Sequence, residues 1–244
     1  MSAKILINCD IGERGPDNPL DLELLHWIDI ANLACGGHAG NRESVSRFSD
    51  LAREEGITVT AHLSYPDRAG FGRRSIALTT EQLIESLQDQ YRLLAGVGIV
   101  KFHGALYNDS CARTDLAQIL ARWLSGMRVT TVLTLPGSAL AGECEALGIN
   151  VLREAYAERR YQVDPATGAL SLVSRARPWA SIESLESAAQ QARRIAVQGE
   201  VEALTGDSEG EVRLVPIPAD TICIHSDSVI ALPLARKLAE IVRP

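Results

Sequence analysis

Four of the five histidines follow short apolar runs that have the pattern of buried β-strands. They are His38 in ACGGHAG, His62 in TVTAHLSYPD, His103 in IVKFHGALYND and His225 in TICIHSDS. Because the carboxyl ends of parallel strands meet at one face of an α/β fold, we expect these four imidazoles to share a cleft. One histidine after a strand is usually a hydrogen-bonded loop residue, whereas four in equivalent places favour a common site. The fifth, His26, lies in apolar LELLHWIDI and is interpreted as structural.

Charged residues occupy corresponding places in other strands. Asp10 follows the first predicted strand, Glu154 follows the sixth, and Lys101 lies in the fourth, two residues before His103. A lysine inside a buried strand is costly unless it is paired, so Lys101 is a candidate electrophile or acid with Glu154 or Asp10 as its partner. The alternative is that its aliphatic stem carries the ammonium to the rim of the fold.

A metal site is a second interpretation of these residues. Asp10, His38 and His62 would form a two-histidine, one-carboxylate set suited to a divalent metal cation. No HxxxH or HExxH spacing supports this set, and the sequence leaves the interpretation open.

A long loop follows the third predicted strand and ends in two adjacent arginines, Arg73 and Arg74. Guanidinium groups bind carboxylates through two parallel hydrogen bonds, which makes either arginine a candidate for holding an acidic substrate. The alternative for each is a solvated charge near the start of a helix.

Composition excludes several classes of protein. The 244 residues carry a formal net charge of −7, and 46% are hydrophobic, which is typical of a globular protein without a basic nucleic-acid surface. The apolar run near the N-terminus is too short for a signal peptide, and no run reaches the length of a membrane span. The five cysteines form no CxxC pair, which favours reduced thiols and a cytoplasmic location. Neither a GxxxxGK[ST] loop nor a GxGxxG loop is present.

The elements needed to position the charged residues are short strands alternating with amphipathic helices. Strands are predicted over Ile5–Asn8, Ile28–Leu33, Ile57–Leu63, Gly98–Phe102, Val129–Leu133, Ile149–Leu152 and Thr221–Ile224. Helices are predicted over Arg42–Glu55, Thr79–Ala95, Thr114–Trp123, Ser138–Leu147, Ile182–Ala196 and Val229–Val242. Two hairpin-like stretches, Tyr161–Pro178 and Val201–Ile217, interrupt the alternation, the second containing the turn sequence GDSEG. Alternation predicts one α/β domain over residues 1–244 and is compatible with a closed barrel or a doubly wound sheet.

Six motifs occur in order along the chain: NCDIGE, ANLACGGHAG, AHLSYPDRAGFGRR, VKFHGALYND, EAYAERRY and CIHSD. Together they resemble the LamB/YcsF family, whose members include the A subunit of bacterial 5-oxoprolinases. The resemblance extends over nearly the whole chain. It implies a single (β/α) barrel with seven strands, similar to the glycoside hydrolase/deacetylase barrels.

The resemblance also implies an activity. It is the ATP-dependent opening of the lactam ring of 5-oxoproline to L-glutamate, with ATP as co-substrate and with partner subunits B and C, which resemble carboxyltransferase-type proteins. The missing phosphate-binding loop is consistent with a partner that handles the nucleotide. We expect the catalytic residues to be Asp10, His62, Lys101, His103 and Glu154. We expect the substrate-binding residues to be His38, Tyr65, Arg73, Arg74, Asn108, His225 and Asp227.

Within this set we expect Asp10, with Glu154 or His103, to act as general base towards water. Lys101 and His62 would stabilise the developing oxyanion or a phosphoryl group, and Arg73 or Arg74 would hold the substrate carboxylate.

Several neighbours of these residues depart from the usual family motifs. Gly37, Asn41, Leu63, Phe102 and Ser226 replace other residues there, while the histidine, aspartate and lysine positions are unchanged. Such changes reshape a pocket, so a related lactam or amide is an alternative substrate.

Two other functions stay open at this stage. One is a metal-dependent amide or carbohydrate deacetylase-like hydrolase, and the other is a non-catalytic subunit that binds a lactam and passes it on. The sequence also leaves open whether the chain forms a homo-oligomer.

Overall fold

The computed structural model describes residues 5–206 and 210–243. Seven of its strands form the centre of the molecule. They are β1 (Leu6–Ile11), β2 (Ile30–Ala34), β3 (Thr58–Leu63), β4 (Ile99–Phe102), β5 (Thr131–Thr134), β6 (Asn150–Tyr156) and, near the C-terminus, β11 (Thr221–His225). They close into a barrel in the order β1-β11-β6-β5-β4-β3-β2, and all pairs are parallel. The seven-stranded (β/α) barrel is therefore confirmed, and the doubly wound sheet is excluded.

Eight α-helices and one 3₁₀ turn are seen in the described part of the chain. They are α1 (Pro19–Leu25), α2 (Arg42–Glu54), α3 (Thr80–Tyr91), the turn Arg92–Leu94, α4 (Gly104–Ala112), α5 (Thr114–Gly126), α6 (Ala139–Ala146), α7 (Leu185–Gln198) and α8 (Ala231–Val242). A capping box formed by Thr79 and Gln82 starts α3. None of the described helices is long and apolar enough to cross a membrane.

The two predicted hairpins form a second, four-stranded sheet. Its strands are β7 (Tyr161–Val163), β8 (Leu170–Leu172), β9 (Glu200–Leu204) and β10 (Val212–Pro216), in the order β10-β9-β7-β8. Each hairpin is an antiparallel pair, and β7 and β9 join the two pairs in parallel. Residues 207–209 of the predicted GDSEG turn lie outside the described residues.

Two barrel strands extend further than their apolar runs predict. β1 continues past Asn8 to Ile11, and β6 continues past Leu152 to Tyr156. Backbone pairing with β11 continues along both extensions. Asp10 lies opposite His225, and Glu154 lies opposite Thr221. The side chains of these polar residues face the barrel interior, while Ile7, Cys9 and Ile11 alternate towards the surrounding apolar core. Asp10 and Glu154 therefore lie within strands rather than after them.

Helices α1 and α4 were not expected from the sequence. α1 is only seven residues long, and Asn18 caps it by accepting from the backbone amides of Leu20 and Asp21. α4 begins directly after His103, and its sequence GALYNDSCA has no continuous apolar stripe. Both helices therefore lack the periodic pattern that predicts a helix.

Gly40 follows β2 at the carboxyl end of the barrel, where the backbone is closely packed. Its φ is +74°, and an added Cβ would lie 2.0 Å from the carbonyl oxygen of Ala34. Gly148 has the same φ of +74° and open space around the Cβ position, which makes it a matched control. We expect Gly148→Ala to lower the free energy of unfolding by about 1–2 kcal/mol through backbone strain alone. Gly40→Ala should cost about 1–3 kcal/mol more because of overpacking, measured by urea unfolding. Equal losses in the two variants would contradict this close packing.

Candidate active site

The ammonium group of Lys101 lies in the interior of the barrel between side chains from three other strands. Its Nζ is 2.9 Å from Asp10 Oδ1 on β1, 2.9 Å from Glu154 Oε1 on β6 and 3.1 Å from Cys223 Sγ on β11. Lys101 is only 1% exposed, so the alternative in which its stem reaches the rim is wrong. The predicted pairing with Asp10 and Glu154 is present.

Further hydrogen bonds hold the two carboxylates. Asn32 donates to Asp10 Oδ1 at 2.9 Å, and the Tyr156 hydroxyl donates to Glu154 Oε2 at 2.8 Å. Burial favours the neutral amine of Lys101, but the negative charge around it outweighs burial and raises its pKa well above the usual value. Burial likewise acts to raise the pKa of Asp10, but His62 and Lys101 together hold that pKa well below the usual value. Lys101 and Asp10 are therefore both charged in the folded protein.

A cluster of three imidazoles and a carboxylate lies beside this pair. His62 Nε2 is 3.0 Å from His103 Nδ1 and 3.2 Å from Asp10 Oδ2. The rings of His38 and His103 stack with their centroids 3.6 Å apart, and His38 Nε2 is 2.9 Å from Glu13 Oε1. All four members of this cluster, Glu13, His38, His62 and His103, have buried side chains.

Burial controls the protonation of the cluster. It lowers the pKa of His38 to about 4 and, together with the neighbouring imidazoles, lowers the pKa of His103 well below the usual value. Burial, with the charge of Asp10, raises the pKa of Glu13 to about 7. At neutral pH, His38 and His103 are therefore neutral imidazoles, which is the form that binds metal ions.

The predicted metal set of Asp10, His38 and His62 stays a prediction, and the described residues offer two other groupings of ligand atoms. The ligand atoms of Glu13, His38, His62 and His103 all lie within 4.8 Å of one another, and those of Asp10, Cys223 and His225 do likewise. Asp10 Oδ2 is also 3.2 Å from His62 Nε2, so Asp10 contacts both groups. Each group could hold a divalent cation.

Two site residues were missed by the sequence reasoning. Glu13 lies three residues after Asp10 in the motif NCDIGE, and the chain turns after Ile11 so that its carboxylate reaches His38. Glu158 lies in EAYAERRY and accepts hydrogen bonds at Oε1 from the backbone amide of His225, at 2.8 Å, and from its Nδ1, at 2.5 Å. The signal that could have identified them is the second carboxylate in each of these motifs.

A cavity of about 460 Å³ opens above the buried charges. Asp10, His62, Lys101, His103 and His225 line its barrel side. Its opposite wall includes Gln162 and Leu172 from the four-stranded sheet, with Ser174 and Arg175 from the chain that follows. The hairpin insertions therefore complete the cavity rather than lie apart from the barrel.

The predicted substrate-binding residues divide into two groups. Arg73, Asn108 and His225 line this cavity, and Asp227 forms an ion pair with Arg73. Arg74 is absent from the cavity lining in the described chain, because it pairs with Asp67 and leaves its side chain 68% exposed. Tyr65, absent from the lining too, donates its hydroxyl to Asp109.

The two remaining histidines, His26 and His38, differ in their surroundings. His26 lies at the C-terminal end of α1 with its side chain 58% exposed, outside the group of buried imidazoles. His38 lies within the cluster, behind the residues that line the cavity. Four histidines are thus brought to one end of the barrel, as expected.

Comparison with known proteins agrees with the fold and with the family resemblance. A family model described as the LamB/YcsF family matches residues 5–243. The chain is 34% identical to the A subunit of 5-oxoprolinase from Haemophilus influenzae (strain PittEE), over 97% of this chain and 95% of that protein. It is 35% identical to the A subunit of 5-oxoprolinase from Methylococcus capsulatus, over 98% of this chain and 92% of that protein. The crystal structure of a lactam utilization protein from Thermus thermophilus is similar, with a TM-score of 0.80 and 32% identity over 98% of this chain and 96% of that one.

Replacing Lys101 tests whether the barrel interior depends on its charge. Lys101→Met keeps an unbranched stem of similar length but leaves two buried carboxylates without their cation. Removing one partner of a buried ion pair costs about 3–5 kcal/mol, and we expect a loss of that size in the free energy of unfolding. Lys237→Met, at a half-exposed surface pair with Glu240, is the control and should change stability by about 0.5 kcal/mol or less. Urea unfolding of both variants measures the difference, and a loss for Lys101→Met no larger than the control's would refute the charge pairing.

Proposed function

Because the chain belongs to the LamB/YcsF family, we propose that it acts as the A subunit of an ATP-dependent 5-oxoprolinase. In this proposal the lactam ring of 5-oxoproline opens to give L-glutamate, ATP is the co-substrate, and subunits B and C are the partners. Relatives named as the A subunit of 5-oxoprolinase, similar over nearly the whole chain, support it. The observation that carries it is the buried, ion-paired Lys101 at the base of a polar cavity.

A fixed cation suits this chemistry. A five-membered lactam is a stable amide, and phosphorylation of its oxygen by ATP activates the ring carbon towards water. Water adds to that carbon and gives up a proton, the C–N bond breaks as the ring nitrogen takes up a proton, and hydrolysis of the resulting acyl phosphate gives glutamate and phosphate. A cation already in place stabilises the negative charge on the oxygens around the reacting carbon without reorganisation. Asp10 and Glu154 hold Lys101 in position from opposite strands. His62 lies beside Asp10 and lines the same cavity.

The role of Asp10 follows from its surroundings. Its low pKa makes the carboxylate a weak proton acceptor at neutral pH, although the sequence suggested it as the general base. We therefore assign Asp10 the task of orienting Lys101 and His62. Activation of the attacking water falls to the neighbouring cluster that contains Glu13 and His103.

Recognition of the substrate carboxylate falls to the arginines of the cavity. Arg73 lines it and pairs with Asp227, which Arg175 also approaches at 3.8 Å. Arg159 is buried in the same lining, and burial lowers its pKa to about 10, so it stays charged at neutral pH. These guanidinium groups favour a small acid over a neutral amide.

A second candidate function is supported by the cluster of imidazoles and carboxylate. Glu13, His38, His62 and His103 form a donor set of the kind found in metal-dependent hydrolases, so deacetylase-like cleavage of an amide is an alternative. Such an enzyme would act without ATP. A third function, lactam binding without catalysis, would leave the chemical rate of an assembled complex unchanged when Lys101 is replaced.

The decisive experiment is an assay for 5-oxoproline hydrolysis with purified chain, candidate partner subunits and ATP, each omitted in turn. We expect glutamate only when all components are present. Glutamate formed by the partners and ATP without this chain would overturn the proposal. Amide cleavage by the chain alone without ATP would favour the metal-dependent hydrolase.

Asp10→Asn tests the orienting role in that assay. The variant keeps the shape of the side chain but removes the charge that holds Lys101 and His62, and we expect kcat to fall at least about 100-fold. Asp115→Asn is the control, because Asp115 is exposed on α5 and should leave kcat unchanged. Circular dichroism checks that both variants are folded. Full turnover by Asp10→Asn with partners present would rule out the role.

Arg73 and Arg74 form a natural matched pair for the carboxylate-binding role. Arg73→Ala removes a charged hydrogen-bond donor from the cavity, and we expect KM for 5-oxoproline to rise about 10- to 100-fold. Arg74→Ala should leave KM nearly unchanged, because that side chain pairs with Asp67 outside the cavity lining. The same effect on KM from both variants would contradict this division.

A further inference from the structure

The hydrogen bonds of His62 and His103 determine which ring nitrogens carry protons. His62 Nδ1 lies 3.3 Å from the carbonyl oxygen of Lys101, and His103 Nε2 lies 3.0 Å from the carbonyl oxygen of Phe71. A carbonyl oxygen only accepts hydrogen bonds, so each of these nitrogens must be the donor. The opposite nitrogens, His62 Nε2 and His103 Nδ1, are therefore the ones available to a metal ion or to a further proton.

These two nitrogens face each other. His62 Nε2 and His103 Nδ1 are 3.0 Å apart, a distance that requires either a proton or a metal ion between them. Two carboxylate oxygens lie close to the same two nitrogens. Asp10 Oδ2 is 3.2 Å from His62 Nε2, and Glu13 Oε1 is 3.6 Å from His103 Nδ1. The ammonium of Lys101 contacts the other oxygen of Asp10, Oδ1, and so does not separate the two nitrogens.

We propose that Glu13, His62 and His103 bind a divalent transition-metal ion through Oε1, Nε2 and Nδ1. Metal–nitrogen bonds of about 2.1 Å place two imidazole nitrogens about 3.0 Å apart at a right angle and about 3.4 Å apart at a tetrahedral angle. The observed 3.0 Å is within reach of either geometry with a shift of about 0.4 Å or less. Metal-binding histidines typically donate their other ring N–H to a backbone carbonyl or a carboxylate, and both of these rings do so. Imidazole with carboxylate suits zinc, iron or manganese rather than calcium or magnesium.

His38 supports the site from behind. Its Nε2 contacts the Glu13 carboxylate at 2.9 Å, and its ring stacks on His103 in nearly parallel planes. These contacts orient two of the three ligands, so His38 is a positioning residue in this arrangement. Its replacement should weaken the binding of the ion by about 10- to 100-fold rather than abolish it, as is typical of residues that orient metal ligands.

The site borders the cavity described above, because His62 and His103 both line it. A divalent ion there lowers the pKa of a bound water and so supplies a nucleophile at neutral pH. This consequence rests on the proposed hydrolytic function, whereas ion binding itself does not. Loss of the proposed function would therefore leave the ion-binding proposal standing, and the reverse also holds.

The test is a titration of the chelator-treated, dialysed chain with Zn²⁺ and with Co²⁺, followed by calorimetry, visible absorption and thermal unfolding. We expect one ion per chain and a higher unfolding temperature in its presence. Absence of stoichiometric binding overturns the proposal and leaves a shared proton between the two imidazoles as the cation. An intense near-ultraviolet thiolate band with Co²⁺ also overturns it, because it places the ion with Asp10, Cys223 and His225 instead.

Variants locate the ion within the cluster. Glu13→Gln changes almost no volume, and we expect its affinity for Zn²⁺ to fall at least about 10-fold; His103→Ala should bind about 100-fold more weakly or not at all. His26→Ala is the control, since His26 is exposed at the end of α1, and should bind as the wild type does. Circular dichroism confirms folding, and if His103→Ala does not fold, Glu13→Gln decides the question. Unchanged affinity in a folded Glu13→Gln or His103→Ala variant overturns the assignment.

Discussion

The charge of Lys101 inside the barrel is the constraint on which the rest of the site depends. An ammonium ion cannot remain buried without anions, and Asp10 and Glu154 meet that demand from β1 and β6. Because each partner comes from a different strand, the ion pairs are satisfied only when the barrel is closed in its observed register. Closing the barrel in the correct register therefore also fixes the Lys101 ammonium at the base of the cavity.

Asp10 links this charged centre to the cluster beside it. One of its oxygens accepts from Lys101 and Asn32, and the other lies against His62. The cluster differs in character from the ion pair, because burial keeps His38 and His103 neutral while Lys101 stays charged. The barrel thus holds a fixed cation next to a group of electron-pair donors. A hydrolytic site can use the first for the developing oxyanion and the second for water.

Much of the local structure was predictable, because it depends on neighbours in sequence. The strand–helix alternation, the capping box at Thr79 and the two hairpins all follow from short-range patterns. The features that the sequence did not predict have two causes. β1 and β6 extend beyond their apolar runs because tertiary pairing, rather than hydrophobicity, holds Asp10 and Glu154 in strands. Helices α1 and α4 were missed because they are short or lack an apolar stripe.

For the site, the sequence by itself determined which end of the strands carries the chemistry, since His38, His62, His103 and His225 all follow apolar strand runs. Which atoms meet there was decided only by tertiary structure. Arg73 and Arg74 are adjacent and chemically identical, yet one lines the cavity and the other pairs with Asp67. Glu13 joins the cluster through a turn whose direction no pattern specifies. The physical reason is that side-chain periodicity is a local property, whereas contacts across a barrel depend on register, closure and loop path, which involve the whole chain.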